Sequence, residues 1–152
     1  MSPSREQLLE TTNLFIEGLN EFTPESVVRV RSPACTHRLL PATLKAAAPQ
    51  TNAEYAGLVG QLGAVMPAFQ LRIAEGSNPL VDEVARKVTL HTKSRSETTL
   101  GLYENEYIWI LTMSEDGKTI DDVLEFADSL YTSGWLPKLG KAAAEAAEAA
   151  KK

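Results

Sequence analysis

A chain of 152 residues with net charge −5 and no basic cluster is sized for one domain and is a poor partner for nucleic acid, whose phosphates select clustered lysine and arginine. Its hydrophobic content of 43% is that of an ordinary soluble domain, and its apolar runs are too short to span a bilayer, so no membrane partner is expected either. The single cysteine, Cys35, excludes an internal disulfide, and two scattered histidines give no metal-ligand spacing; with no charged-then-apolar leader in "MSPSREQLLETT", a cytoplasmic location is the default expectation.

The first element is an amphipathic helix over 5–20, with Leu8, Thr12, Phe15 and Leu19 at helical spacing and "SREQ" as a capping box from Ser4 to Gln7. "TPES" opens a second, short helix, Thr23 capping and Pro24 in the first turn. "RSPACTHRLLP" lies between Pro33 and Pro41 and reads as an edge strand or extended loop. "KAAAPQ" is a loop. "TNAE" is another capping box, Thr51 with Glu54, and its helix carries Tyr55, Leu58, Val59, Leu62 and Val65 on one stripe.

From residue 69 the period changes to two: "FQLRI" alternates, and "ARKVTLHTKS" sets Val88 and Leu90 against His91. "LYENEYIWILTMS" is a long strand, apolar on both faces after Glu106. "SEDGK" is a turn and "IDDVLEF" the last strand. A short helix at "YTSGWLPKL" then precedes "KAAAEAAEAAKK", helix-prone but without large apolar side chains and so expected to add little to the core. The expected organisation is a single domain over 1–140 and an Ala-rich helical or disordered tail over 141–152. Helices followed by a meander of strands give an α+β architecture, with three N-terminal helices covering one sheet face. A second copy of the chain is the simplest cover for the other face.

The helix–helix–helix–strand order and "NEYIWILTMSEDGKTIDDVLEFADS" resemble the SnoaL-like branch of the nuclear transport factor 2 superfamily over about residues 5–138. "THRLLP" and "TNAEYAGLVGQL" resemble its fungal isomerases and cyclases, which tailor polyketide or meroterpenoid skeletons. That resemblance implies a cone-shaped α+β barrel in which a strongly bent mixed sheet wraps the helices around a pocket. It also implies a homodimer joined through the outer sheet face, and acid/base chemistry without a cofactor or metal on a small hydrophobic substrate.

Candidate site residues follow. Counting by two from Ile120 through Leu124 and Phe126 reaches Asp128. An acid on an apolar face has its charged form destabilised and can exchange a proton near neutrality. The resemblance implies the catalytic acid there; the alternative is an N-cap for "SLYTSGW". His37, with an ordinary pKa of about 6.5, suits proton transfer, and Arg38 suits an enolate oxygen. Neighbours on a strand point to opposite faces, so both reach one pocket only if the segment is irregular; otherwise one is on the surface. Glu106 is either a pocket acid or a partner in a rim or interface ion pair. Tyr103, Tyr107 and Trp109 share the face opposite Glu106, and either face of that strand lines the pocket. Tyr55 and Phe126 complete the expected substrate wall. His91, Asp121 and Asp122 read as solvated, Glu54 as the partner of Thr51, and Cys35 as a small buried hydrophobe. The expected activity is isomerisation, cyclisation or dehydration through an enol. A hydrolase in the same pocket, or a ligand-binding or docking module with no chemistry, is the alternative.

Overall fold

The structure is a computed structural model and describes residues 1–46 and 48–152; of the expected loop at 45–50, Ala47 lies outside the described residues. The chain runs α1 (Arg5–Glu21), a 3-10 turn (Ser26–Val28), β1 (Arg31–Leu40), a second 3-10 turn (Ala42–Leu44), α2 (Asn52–Leu62), β2 (Gln70–Ile73), β3 (Leu80–Asp82), β4 (Lys87–Thr98), β5 (Gly101–Met113), β6 (Ile120–Ala127) and α3 (Ser129–Ala149). The architecture is α+β: three helices on a mixed sheet of six strands in the order β1-β6-β5-β4-β2, with β3 pairing β4.

The N-terminal helices start where their caps dictate. Ser4 Oγ accepts from Gln7 N at 3.2 Å, although the Gln7 side chain turns to Thr11 instead of closing the box. Thr51 and Glu54 form the complete capping box of α2. "TPES" makes a single 3-10 turn instead of the expected helix. Thr23 and Ser26 exchange side-chain hydrogen bonds of 3.0 Å, and Ser26 Oγ donates to Gly18 O. Gly18 permits that approach, because a Cβ there would lie 2.3 Å from Ser26 O.

The third α-helix is C-terminal, so two α-helices, not three, lie in the N-terminal half, and β1 runs between them. Nor is it short. Asp128 caps one continuous α3 that runs through Pro137 and takes in most of the alanine-rich tail. Leu139 and, from the tail itself, Ala143 are buried in the main core, where the tail was expected to add little. At its start α3 sets Tyr131 and Trp135 edge-on against Tyr103. Phe15 of α1 packs edge-on against Trp109 of β5 at 5.3 Å, joining the first helix to the centre of the sheet.

Two irregularities set which residues face inward. On β5, Tyr103, Asn105, Tyr107, Trp109, Leu111 and Met113 alternate cleanly into the core. On β6 the alternation is broken, because Met113 pairs with Ile120 but Thr112 pairs with Asp122. Asp121 is therefore an extra residue, a β-bulge, and the inward phase moves from even to odd positions. Ile120 is buried, but beyond the bulge it is Val123 and Ala127 that are buried, and Phe126 is half-exposed. Parallel β1 carries a second break, between Arg31 and Thr36, and turns Cys35 and His37 inward.

The burial of Ala143 yields a graded expectation for truncation. A chain ending after Ala144 should melt like the full chain, whereas one ending after Leu139 should lose about 1 kcal/mol, or about 2–4 °C in Tm, measured by thermal unfolding.

Candidate active site

Between the sheet and the two helices α2 and α3 lies a cavity of about 130 Å³ that opens to solvent. Helix α2 contributes Tyr55, Leu58, Val59 and Leu62; helix α3 contributes Thr132, Leu136 and Leu139. The sheet contributes His37 from β1, Glu125 and Ala127 from β6, and Tyr103, Asn105, Tyr107 and Trp109 from β5. Glu125 is the only carboxylate of this lining, which holds no lysine or arginine.

Glu125 is held by a short relay. His37 Nε2 lies 2.8 Å from Glu125 Oε1, and His37 Nδ1 lies 3.1 Å from Arg31 Nη2. A guanidinium only donates, so Nδ1 must present its lone pair and Nε2 must carry the proton. His37 is thereby fixed as a neutral donor to the carboxylate. Its ring stacks on Tyr55 at 4.3 Å, and the Arg31 guanidinium sits over the other part of the same cluster, 4.3 Å from the Tyr55 ring centre. Backbone bonds of 3.0 and 2.8 Å with Gln50 pin the strand at His37. Burial pushes the His37 pKa below the ordinary 6.5, opposed by the hydrogen bond and charge of Glu125 and reinforced by Arg31. Burial also pushes the Tyr55 phenol up.

A second polar cluster lines the β5 wall. Tyr107 OH is 2.8 Å from Ser94 Oγ and 3.3 Å from Tyr103 OH. Asn105 Nδ2 donates to Tyr103 OH at 2.7 Å and to Thr132 Oγ1 at 3.0 Å. Burial raises the pKa of both Tyr103 and Tyr107, so they remain protonated donors.

The structure brings His37, Tyr55, Tyr103, Tyr107 and Trp109 to one cavity and leaves four expected site residues outside it. Asp128 is exposed, and its carboxylate accepts from Tyr131 N at 3.1 Å as the cap of α3. Phe126 is on the outer face with 50% exposure. Arg38 points outward to Asp122 Oδ2 at 3.4 Å, as strand alternation with inward His37 requires. Glu106 lies on the outer face of β5, hydrogen-bonded to His91. Asp121 is exposed, while Asp122 also accepts from Thr36 at 2.8 Å. Cys35 is a buried thiol pushed up to about 11 by burial, in keeping with a small hydrophobe. Among the described residues, no group of three His, Cys, Asp or Glu side chains is placed to hold a metal, and no helix is long and apolar enough to cross a membrane.

Sequence reasoning missed Glu125, Arg31, Asn105 and Thr132. Asn105 was legible, since it shares the parity of Tyr103 and Tyr107. Glu125 was hidden by the bulge at Asp121, whereas Arg31 was legible by parity with His37 on β1, and only its contact with Tyr55 of α2 was remote.

No family model matches the chain. The fold is that of a SnoaL-like polyketide cyclase from Jannaschia (TM-score 0.65, 10% identity, 86% of this chain and 91% of that one). It is similar to the BvnE pinacolase of Penicillium brevicompactum, with TM-score 0.85, 38% identity, and 90% and 93% of the two chains covered. It is 40% identical to the austinoid biosynthesis clusters protein H of Penicillium brasilianum over 139 residues, 91% of this chain and 95% of that protein. The chain belongs to the family of these fungal austinoid biosynthesis cluster proteins, and its fold is SnoaL-like.

For this SnoaL-like protein the relay predicts a stability profile. A histidine whose folded pKa is depressed contributes stability that is present above its unfolded value, 6.5, and lost as pH falls through the folded value. The groups around His37 are Arg31, Glu125, Asp122 and Tyr55. Thermal melting should therefore fall as pH drops below about 6.5, and His37→Gln should flatten that part of the profile.

Proposed function

We propose that this protein is an enzyme of fungal secondary metabolism that isomerises or cyclises an apolar polyketide- or terpenoid-derived intermediate by proton transfer. The observation that carries this reading is a lone carboxylate in a largely apolar cavity, with one oxygen tied to His37. The other oxygen of Glu125 is free to act as acid and base. It would take a proton from a carbon beside a carbonyl or from a hydroxyl, and return it elsewhere on the same molecule. Moving one proton requires one carrier and no cofactor. His37 acts as the donor that holds Glu125 in place, a positioning role in place of the proton carriage expected of it. Tyr107, Tyr103 and Asn105 offer hydrogen bonds to a substrate oxygen.

The relatives support this class: one is named a pinacolase, and others bear the names of austinoid biosynthesis clusters. A pinacol-type reaction passes through developing positive charge, and the faces of Trp109 and Tyr107 suit that as well.

The test is incubation of the purified protein with the intermediates its relatives accept, followed by mass spectrometry. A product of unchanged mass supports isomerisation or cyclisation, loss of a water means dehydration or a pinacol rearrangement of a diol, and gain of a water means hydrolysis. Glu125→Gln should lower kcat by at least about 10²-fold. Asp128→Asn should retain near wild-type turnover, since Asn caps about as well as Asp; the reverse result overturns the assignment of Glu125.

The reading includes a homodimer joined by outer sheet faces. Ile108 and Phe126 are direct cross-strand partners and are 41% and 50% exposed, which favours cover by a second copy. Sedimentation equilibrium should give about twice 16.6 kDa for the wild type and near 16.6 kDa for Phe126→Glu. A wild-type monomer at micromolar concentration would count against the dimer.

A further inference from the structure

The hydroxyls of Ser94 on β4 and of Tyr107 and Tyr103 on β5 have one proton more than they can use among themselves. Asn105 Oδ1 accepts from Glu106 N at 2.8 Å, which fixes the amide so that Nδ2 must donate, to Tyr103 OH and Thr132 Oγ1. Ser94, Tyr107 and Tyr103 then hold three hydroxyl protons, but only two contacts join them: Ser94 to Tyr107 and Tyr107 to Tyr103. Among the described residues, no backbone carbonyl takes a proton from any of the three. Whichever way the chain of bonds runs, one O–H is left over. Left on Ser94, which is 2% exposed and does not line the cavity, it is a buried unmet donor, costly in an apolar interior. Left on Tyr103 or Tyr107, it faces the cavity and awaits an acceptor. With both phenols buried, neither is a ready source of charge.

The rest of the cavity argues in the same direction. Its lining holds one carboxylate and no lysine or arginine, and the nearest cation, Arg31, lies behind His37 and Tyr55, so an anionic ligand would meet Glu125 before any positive charge. We propose that Tyr103 and Tyr107 form an acceptor-binding subsite, and that the ligand of this cavity is an uncharged ketone, ester or lactone, not a carboxylate, phosphate or carrier-bound acid. This deepens the proposed function, since it rests on the cavity being the substrate site. It requires no particular reaction there.

The test uses three probes of similar shape: acetylnaphthalene as ketone, naphthoate as anion and ethylnaphthalene as hydrocarbon. Calorimetry at about pH 8, where the acid is ionised, should show acetylnaphthalene binding at least about ten-fold tighter than naphthoate. The carbonyl stretch of bound acetylnaphthalene should lie below its position in an apolar solvent, as donation from a phenol demands. In Tyr103→Phe/Tyr107→Phe the band should move back up and ketone affinity fall about five-fold, with ethylnaphthalene affinity unchanged as proof that the cavity survives. Should the double variant not fold, the wild-type band and the probe ranking decide the question alone. Glu125→Gln should narrow the gap between ketone and naphthoate while leaving the band in place. This separates the inference from the catalytic reading, because a protein without turnover can still show the band. A carbonyl band at its apolar-solvent position, or naphthoate binding as tightly as the ketone, overturns the proposal.

Discussion

One inserted residue organises this protein. Asp121 has no partner of its own between the pairs Met113–Ile120 and Thr112–Asp122. A strand has a period of two, so a single extra residue exchanges its faces from that point on. Upstream of the bulge Ile120 is buried; downstream it is Val123, Glu125 and Ala127 that turn inward. Asp122 turns away and meets Thr36 and Arg38 on the other side of β1. Without the bulge, Leu124, Phe126 and Asp128 would face the cavity and Glu125 would face solvent. The identity of the cavity acid is thus a matter of register, not of residue type.

A carboxylate in such a place needs support. It receives it from a neutral histidine, whose own proton is fixed by a buried arginine. Arg31 has no carboxylate within ion-pairing distance among the described residues, and its Nε and Nη1 find no hydrogen-bond partner there. Its charge is spread over the Tyr55 face and the lone pair of His37 instead. Burial opposes protonation of His37, which keeps its Nδ1 lone pair turned to Arg31 and its Nε2 proton turned to Glu125. The polar side of the cavity is therefore preset by elements that meet only in the fold: β1, β6 and α2.

Helix α3 links the capping acid to the cavity in a different way from that expected. Asp128 starts the helix, and three turns of that helix then place Thr132, Leu136 and Leu139 on the cavity wall. Tyr103 lies against Tyr131 and Trp135 on one side and hydrogen-bonds within the β5 cluster on the other. Asp128 acts on the site through where α3 begins, by satisfying a backbone donor.

Local chemistry was written plainly in the sequence. Ser4, Thr51 and Asp128 cap the helices that their types favour, and the alternation of "LYENEYIWILTM" sorted Tyr103, Tyr107 and Trp109 from Glu106. These are nearest-neighbour effects, carried by one turn of backbone or by a period of two. The α+β class follows from the same patterns. Tertiary structure decided the rest. It chose Glu125 over Asp128, because strand pairing with β5 alone creates the bulge. It drew α3 through Pro137 into the core, because Leu139 and Ala143 gain apolar burial that composition does not reveal. It set Arg31 against both His37 and Tyr55, because β1 turns Arg31 and His37 to one inward face and packs that face on α2. Each of these depends on a partner strand or helix distant in sequence, and no local period can report on a contact it does not contain.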